Sequence, residues 1–147
     1  MNAETLTKTE NLWTGKWTKV NAKTFEVGEK TIVWECVERT TTTSSGIDGV
    51  NTIATFVDPE TNENKIVLIA NYRPPVEKYC VEWPAGLMDP GEDVKTTALR
   101  ELFEETGYRA NEADVQLVTT GGCLAAPFTN EMGCIVKVTL DMSLPEN

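Results

Sequence analysis

The chain contains no histidine in its 147 residues. That absence removes the Ser-His-Asp and Cys-His nucleophile systems, the His-ligated zinc sites and histidine as a general base. Positive charge is also scarce, with 13 Lys and Arg against 23 Asp and Glu, for a net charge of −10. A chain this acidic repels nucleic-acid backbones and anionic lipid surfaces, so neither is an expected partner. No long apolar run is present: the longest aliphatic stretch is Ile66-Val67-Leu68-Ile69-Ala70, far short of a bilayer span. Met1 to Asn11 is polar and has no apolar signal-peptide core. Cys36, Cys80, Cys123 and Cys134 form no C-x-x-C pair, and the expectation for them is buried, reduced thiols. A soluble protein of a reducing compartment, cytoplasmic or nuclear, follows as the expectation. Whatever chemistry the chain performs must use carboxylates, backbone groups, Lys, Arg, Tyr or a metal held by oxygen.

What is present reads as one domain by length. Residues 1–11 form a polar lead-in, and residues 12–46 a β arm ending in the Thr/Ser/Gly stretch Thr40 to Gly46. Residues 47–147 form the core domain. In the arm, Lys16–Val20, Thr24–Val27 and Thr31–Val37 read as strands, the last entered through a turn at Val27-Gly28-Glu29-Lys30. In the core, Val50–Val57 and Lys65–Asn71 are strands joined by turn formers, and Arg73-Pro74-Pro75 breaks the pattern. Cys80–Trp83, Gln116–Thr120 and Cys134–Leu140 complete the strands. From Glu92 to Thr106 the period turns helical, with Gly107 as C-terminal cap. Many strands with one strong helix give an α/β (α+β) domain.

That helix carries the densest chemistry. With Glu101 at 0° on a helical wheel, Glu105 falls at about 40° and Glu104 at about 300°, so three carboxylates share one arc. Ala98, Leu99, Leu102 and Phe103 cover the arc that would pack on the sheet. Like charges four residues apart destabilise a helix slightly, a cost that a hard divalent cation would offset. A solvated acidic face is the competing reading. Upstream, Gly86-Leu87-Met88-Asp89-Pro90-Gly91-Glu92 is a glycine- and proline-bearing loop that can bring backbone groups close to a phosphate-metal unit.

The residues Gly86-x5-Glu92-x7-Arg100-Glu101-Leu102-x-Glu104-Glu105-x-Gly107 match the Nudix box at every fixed position; Tyr108 stands where an aliphatic residue is usual. The chain therefore resembles the Nudix hydrolases. The resemblance implies a mixed β-sheet sandwiched by helices and a loop-helix-loop that holds Mg²⁺, or Mn²⁺ in its place, against a diphosphate. Carried over by position, Glu101, Glu104, Glu105 and Arg100 are the candidate catalytic residues. Glu101, Glu104 and Glu105, with the Ala85 carbonyl, are the candidate metal ligands. Glu92 and Arg100 are the family's supporting pair, read equally well as a fold-stabilising ion pair. Gly86 and Gly107 are conformational.

Gly15-Lys16-Trp17, Trp34-Glu35-x3-Arg39-Thr40, Asp48-Gly49-Val50, Tyr72-Arg73-Pro74-Pro75, Glu82-Trp83-Pro84-Ala85-Gly86 and Pro127 are similar to the eukaryotic ADP-ribose pyrophosphatases within that family. This narrower resemblance implies hydrolysis of ADP-ribose and related nucleoside diphosphate sugars to AMP and a sugar 5-phosphate. It also implies a homodimer joined through the N-terminal arm, with Trp17 and Trp34 of two subunits sandwiching adenine. Glu35 would accept from the adenine amino group, Arg39 and Arg73 would meet phosphate oxygens, and Gly86 and Leu87 would line the substrate. On the residues alone, both tryptophans read as core, and Arg73 can equally be a surface residue at a rigid turn. Trp13 and Trp83 read as structural.

Enzymes of this type continue past the last strand with an acidic loop, a further strand and a helix, so the expectation is a C-terminally short domain. Two readings follow: a Mg²⁺-dependent pyrophosphatase, and a catalytically weak or silent module that binds nucleotide or a partner chain. A third keeps the enzyme but changes its substrate to another nucleoside diphosphate sugar or an oxidised nucleotide. With one convincing helix, one sheet face lacks evident cover. Val136, Val138 and Leu140 are expected to contribute to the exposed apolar surface, and the chain to associate.

Overall fold

A computed structural model of the chain describes residues 4–41 and 45–147. The chain divides into two compact units, Met1–Gly46 with Cys123–Met132, and Ile47–Gly122 with Gly133–Asn147.

The first unit is an antiparallel meander of β1 (Thr5–Thr14), β2 (Thr18–Val27) and β3 (Lys30–Arg39), in the order β1-β2-β3. β1 runs through most of the segment that reads as a lead-in. All ten of its residues are exposed, so no apolar alternation marks it; its order comes from pairing with β2 over the full strand length. The two short strands expected at Lys16–Val20 and Thr24–Val27 are one strand. Between β2 and β3, Val27 pairs with Lys30, and Gly28 at φ 62° supplies the positive φ that so tight a hairpin needs. Thr42, Thr43 and Ser44 of the expected Thr40–Gly46 loop lie outside the described residues.

Glu38 is buried on β3, where it accepts ion pairs from Lys19 at 3.0 Å and Lys23 at 2.6 Å. Lys23 foremost holds the Glu38 carboxyl down at about 2. The segment Cys123–Met132 docks along β3. The Val37 amide donates to the Phe128 carbonyl (2.9 Å), and the Trp34 indole N–H donates to the Pro127 carbonyl (2.8 Å).

In the second unit a mixed sheet is built on β4 (Gly49–Val57) and β11 (Met132–Thr139), paired in parallel from Gly49↔Gly133 to Thr55↔Thr139. β5 (Asn64–Ile66) and β8 (Ala85–Leu87) pair antiparallel with β4, β9 (Val115–Leu117) pairs antiparallel with β11, and β10 (Gly122–Cys123) lies at its edge. A separate hairpin joins β6 (Ile69–Arg73) to β7 (Lys78–Glu82) through a 3₁₀ turn at Pro74–Val76. The strand expected from Lys65 to Asn71 is therefore split. Val67, next after β5 and in register with Ala54, is buried and donates its amide to the Ala54 carbonyl (2.9 Å), and β6 then pairs with β7 instead.

The one α-helix among the described residues, α1 (Val94–Thr106), starts two residues later than periodicity suggests. Asp93 caps it by accepting from the Thr96 amide (2.8 Å), and Gly107 ends it in the left-handed region at φ 79°. Ala98 and Leu102 are fully buried against Val50, Ala54, Val136 and Val138. Leu99 is only half-buried, and Phe103 is exposed beneath the Arg109 guanidinium, 3.8 Å from its ring centroid, so the packing arc is narrower than the sequence implies.

Two further expectations are corrected. Val136, Val138 and Leu140 are core residues, 0%, 0% and 4% exposed, rather than part of an uncovered face. Of the four cysteines, all free, only Cys134 is buried, while Cys123 is exposed on the docked segment.

Candidate active site

The loop from Met88 to Glu92 and the outer face of α1 are held together by one guanidinium. Arg100 donates through Nε (2.8 Å) and Nη2 (2.9 Å) to Glu92, and through Nη2 to the Leu87 carbonyl (2.9 Å). Its Nη1 donates to Glu101 (2.6 Å) and Glu104 (3.3 Å). Glu92 also accepts from the Thr97 hydroxyl (2.8 Å) and the Asp89 amide (3.1 Å). Arg100 is the main reason that the Glu92 carboxyl sits near 2, and Glu92 in turn raises Arg100. A carboxylate held this firmly in its charged form is a brace. Glu92 and Arg100 thus form an ion pair between the loop and the helix.

Glu101 and Glu105 lie one helical turn apart, facing the entry of β8. Glu105 accepts a hydrogen bond from the Ala85 amide (2.9 Å). Burial pushes its carboxyl up, Ala85 opposes this, Glu101 adds to the rise, and Arg73 lowers it. Glu101 is pressed against the backbone of Gly86. A Cβ at Gly86 would stand 1.9 Å from the Glu101 Cδ and Oε1. Gly86 is not among the residues with positive φ, so what requires glycine here is the close approach of a carboxylate rather than a turn. Glu104 points outward, its side chain 56% exposed.

Among the described residues, no three acid or thiol side chains already converge as a metal-binding set. Glu101 and Glu104 are turned toward Arg100. The donor set nevertheless fits a hard cation. Two half-buried carboxylates and the Ala85-Gly86 backbone offer only oxygen donors, and the Gly86 cradle holds Glu101 where a side chain would exclude it. Arg73 reaches the same neighbourhood, paired with Glu82 through Nε (2.9 and 3.1 Å) and Nη2 (2.5 Å). Glu82 itself raises Glu105. Its part was missed in the sequence, although hairpin register reveals it. With Arg73 opposite Lys78, the pairs 73/78, 71/80 and 69/82 share one face.

The remaining candidates lie in the first unit. Trp34 is 46% exposed and Trp17 61%, so neither is core. Trp34 lines a cavity of about 410 Å³ with Phe25, Lys23, Cys36, Leu6 and Thr129, a volume within the range of small-ligand sites. Lys16 places its ammonium 4.6 Å from the Trp17 ring centroid, covering a face that a stacked base would need. Glu35 is exposed. Arg39 pairs with Glu131 at 2.7 Å, and its Nε is buried without a partner. Glu131 is a second carboxylate that the sequence did not single out. Trp13 covers Gly15, where a Cβ would meet its ring at 2.2 Å.

Comparison with known proteins places this arrangement. The chain is 43% identical over 114 residues to the ADP-ribose pyrophosphatase of Saccharomyces cerevisiae, covering 78% of this chain and 48% of that protein. It is 33% identical over 137 residues to the ADP-sugar pyrophosphatase of Mus musculus, covering 92% of this chain and 61% of that one. The chain thus spans about half to three-fifths of the length of these curated relatives. A crystal structure of an ADP compounds hydrolase superposes with a TM-score of 0.71 at 23% identity, over 97% of this chain and 73% of its own, a likeness of fold. The family model of the NUDIX domain matches residues 49–134, which contain β4, the braced loop and α1 together. With more than half of its length inside that match, the chain belongs to the Nudix family.

Proposed function

We propose that the chain hydrolyses the pyrophosphate bond of ADP-ribose and related nucleoside diphosphate sugars, releasing AMP and a sugar 5-phosphate, with Mg²⁺ or Mn²⁺ bound at Glu101, Glu105 and the Ala85 carbonyl. The observation that carries this reading is the Gly86 cradle, in which Glu101 lies against bare backbone beside Glu105. The names of the relatives support the substrate class. A divalent cation held there would polarise the phosphoryl oxygens and lower the pKa of a bound water.

The chain's own residues do the rest. Arg100 and Glu92 hold the loop so that the Ala85-Gly86 backbone and α1 stay in register. Glu104, the most exposed of the three acids, adds negative potential at the mouth. Arg73 offers a guanidinium to phosphate oxygens, for which its planar fork is well shaped. Trp34 presents a half-exposed indole face to adenine, and its N–H is already committed to Pro127. Arg39, a third exposed and paired with Glu131, would turn its guanidinium to a phosphate oxygen in place of that carboxylate. Water adds to phosphorus, the bond from phosphorus to the bridging oxygen breaks, and that oxygen leaves with one product.

The reading includes a homodimer through the arm of residues 12–46, in which a second copy's Trp17 closes on adenine once Lys16 swings off its ring. The exposure of Leu12, Trp13, Trp17 and Val33 on the meander supports it. The free, partly accessible thiols support a reducing compartment, the cytoplasm being the proposed one.

The test is phosphate release from a panel of ADP-ribose, other nucleoside diphosphate sugars and an oxidised nucleotide, coupled to a phosphatase, with and without Mg²⁺. Metal-dependent release from ADP-ribose above the rest is expected. Binding of AMP without turnover of any substrate would overturn the hydrolase reading in favour of a binding module.

A further inference from the structure

We propose that Glu82 is a positioning residue that presents Arg73 to the substrate phosphates, an inference that rests on the pyrophosphatase reading above. Arg73 stands at the end of β6, and its side chain is 49% exposed. Left alone, a half-exposed arginine samples many rotamers and must lose them on meeting an anion. Glu82 removes that freedom. Its two oxygens take the Nε–H at 2.9 and 3.1 Å, and Oε2 also takes Nη2 at 2.5 Å, a side-on bidentate fork that fixes the plane of the guanidinium.

Of the five N–H groups of a guanidinium, this fork uses the Nε–H and one on Nη2. Nη1 makes no hydrogen bond to any of the described residues. One edge of the cation is therefore anchored and the other is left for a ligand. The chain itself ties the pair to the acid cluster: Glu82 ends β7 three residues before Ala85, the residue whose amide donates to Glu105 at 2.9 Å. The arm that holds Arg73 and the backbone that meets Glu105 are thus parts of one short segment, Glu82-Trp83-Pro84-Ala85, stiffened by buried Pro84.

An exposed ion pair of this kind adds little to folding stability. Its effect should therefore appear in ligand binding rather than in the melt. The experiment is a double-mutant cycle on the full chain with Glu82→Ala, Arg73→Ala and both. KM and kcat are read for ADP-ribose with Mg²⁺, and the affinity for inorganic pyrophosphate is read by calorimetry. Glu82→Ala is expected to raise KM and weaken pyrophosphate about tenfold, equivalent to about 1.4 kcal/mol. It should leave kcat within about threefold and the melting temperature nearly unchanged. In the Arg73→Ala background it should do nothing further. Glu82→Gln, which keeps one acceptor oxygen, should recover part of the affinity. An equal loss in both backgrounds overturns the positioning role, and so does a gain in affinity, which would mean that Glu82 sequesters Arg73. A parent chain that binds neither ADP-ribose nor pyrophosphate overturns the proposed function itself and this role with it.

Discussion

Gly86→Ala isolates the contact on which the candidate site depends. The added methyl would lie 1.9 Å from the Glu101 Cδ and Oε1 and 2.4 Å from Oε2. Ordinary contact needs about 3.5 Å, so the carboxylate must retreat by about 1.5 Å. The backbone itself can accept alanine, because Gly86 does not occupy the left-handed region. The displaced Glu101 loosens or loses its 2.6 Å bond from Arg100 Nη1, a charge-assisted interaction of about 1.5–3 kcal/mol. Replacing glycine by alanine in a compatible conformation returns about 0.4–1 kcal/mol through the unfolded chain. The net loss is then about 1–2 kcal/mol, a fall of a few degrees in melting temperature for a chain of this size. Turnover should suffer far more. A ligand misplaced by more than 1 Å costs on the order of 100-fold in rate, about the loss expected for Glu105→Gln at the neighbouring acid. Mn²⁺ affinity, read by electron paramagnetic resonance, should fall alongside. Urea unfolding of Gly86→Ala, Glu101→Ala and the double variant separates cause from coincidence. Once Glu101 is truncated, the methyl has room, and Gly86→Ala should cost nothing more. A Gly86→Ala chain with parental turnover and Mn²⁺ affinity would refute the reasoning, as would an equal destabilisation in the Glu101→Ala background.

Trp34→Ala should weaken AMP binding roughly 5- to 150-fold, the range for loss of one base–aromatic stack, and abolish any quenching of tryptophan emission by AMP; a parent whose emission ignores AMP returns Trp34 to a structural role. Thr52 is fully buried on β4 with its hydroxyl unpartnered, so Thr52→Val should stabilise the chain by about 1 kcal/mol in urea unfolding. Glu38 titrates near 2 in the folded chain, against 4.5 when unperturbed. Its depressed pKa contributes stability that is fully present above about pH 4.5 and is lost as pH falls toward 2. Because Lys19 and Lys23 remain about a third exposed, that contribution is about 1–2 kcal/mol after solvent screening. Glu38→Gln should therefore flatten the acid limb of the stability profile between those limits, and an unchanged limb would remove Glu38 from the account.

The readable parts of this protein are those whose determinants are local. The spacing of Ala98 and Leu102, with Gly107, is enough to mark α1, because a cap and a buried stripe act within one helix; the Asp93 cap, which sets its start two residues after Glu92, was not read. The acids fall on one arc by helical geometry alone, and Arg100 lies beside them for the same reason. Gly28 marks the hairpin between β2 and β3 because only two residues separate the paired ends. β1 was illegible: its ten exposed residues have no inward face, and its order is conferred by β2. The break between β5 and β6 was illegible too, since β5 pairs with β4 while β6 pairs with β7, a choice of partner that the run from Lys65 to Asn71 does not encode.

The sequence by itself determined the spacing of Gly86, Glu92, Arg100, Glu101 and Glu105, and with it the family. Only the tertiary structure decided what those residues touch. Parallel pairing of β4 with β11 buries Val136 and Val138 against α1, which no pattern within β11 could reveal. Pairing of β8 with β4 sets Gly86 opposite Val50 and beneath Glu101, turning a missing side chain into a cradle. The partners of Arg73 and Arg39 likewise come from segments 9 and 92 residues away, Glu82 and Glu131. A charge shows in the sequence wherever it occurs. Its partner is chosen by strand register and chain docking, which are sums over many weak contacts that no single residue encodes.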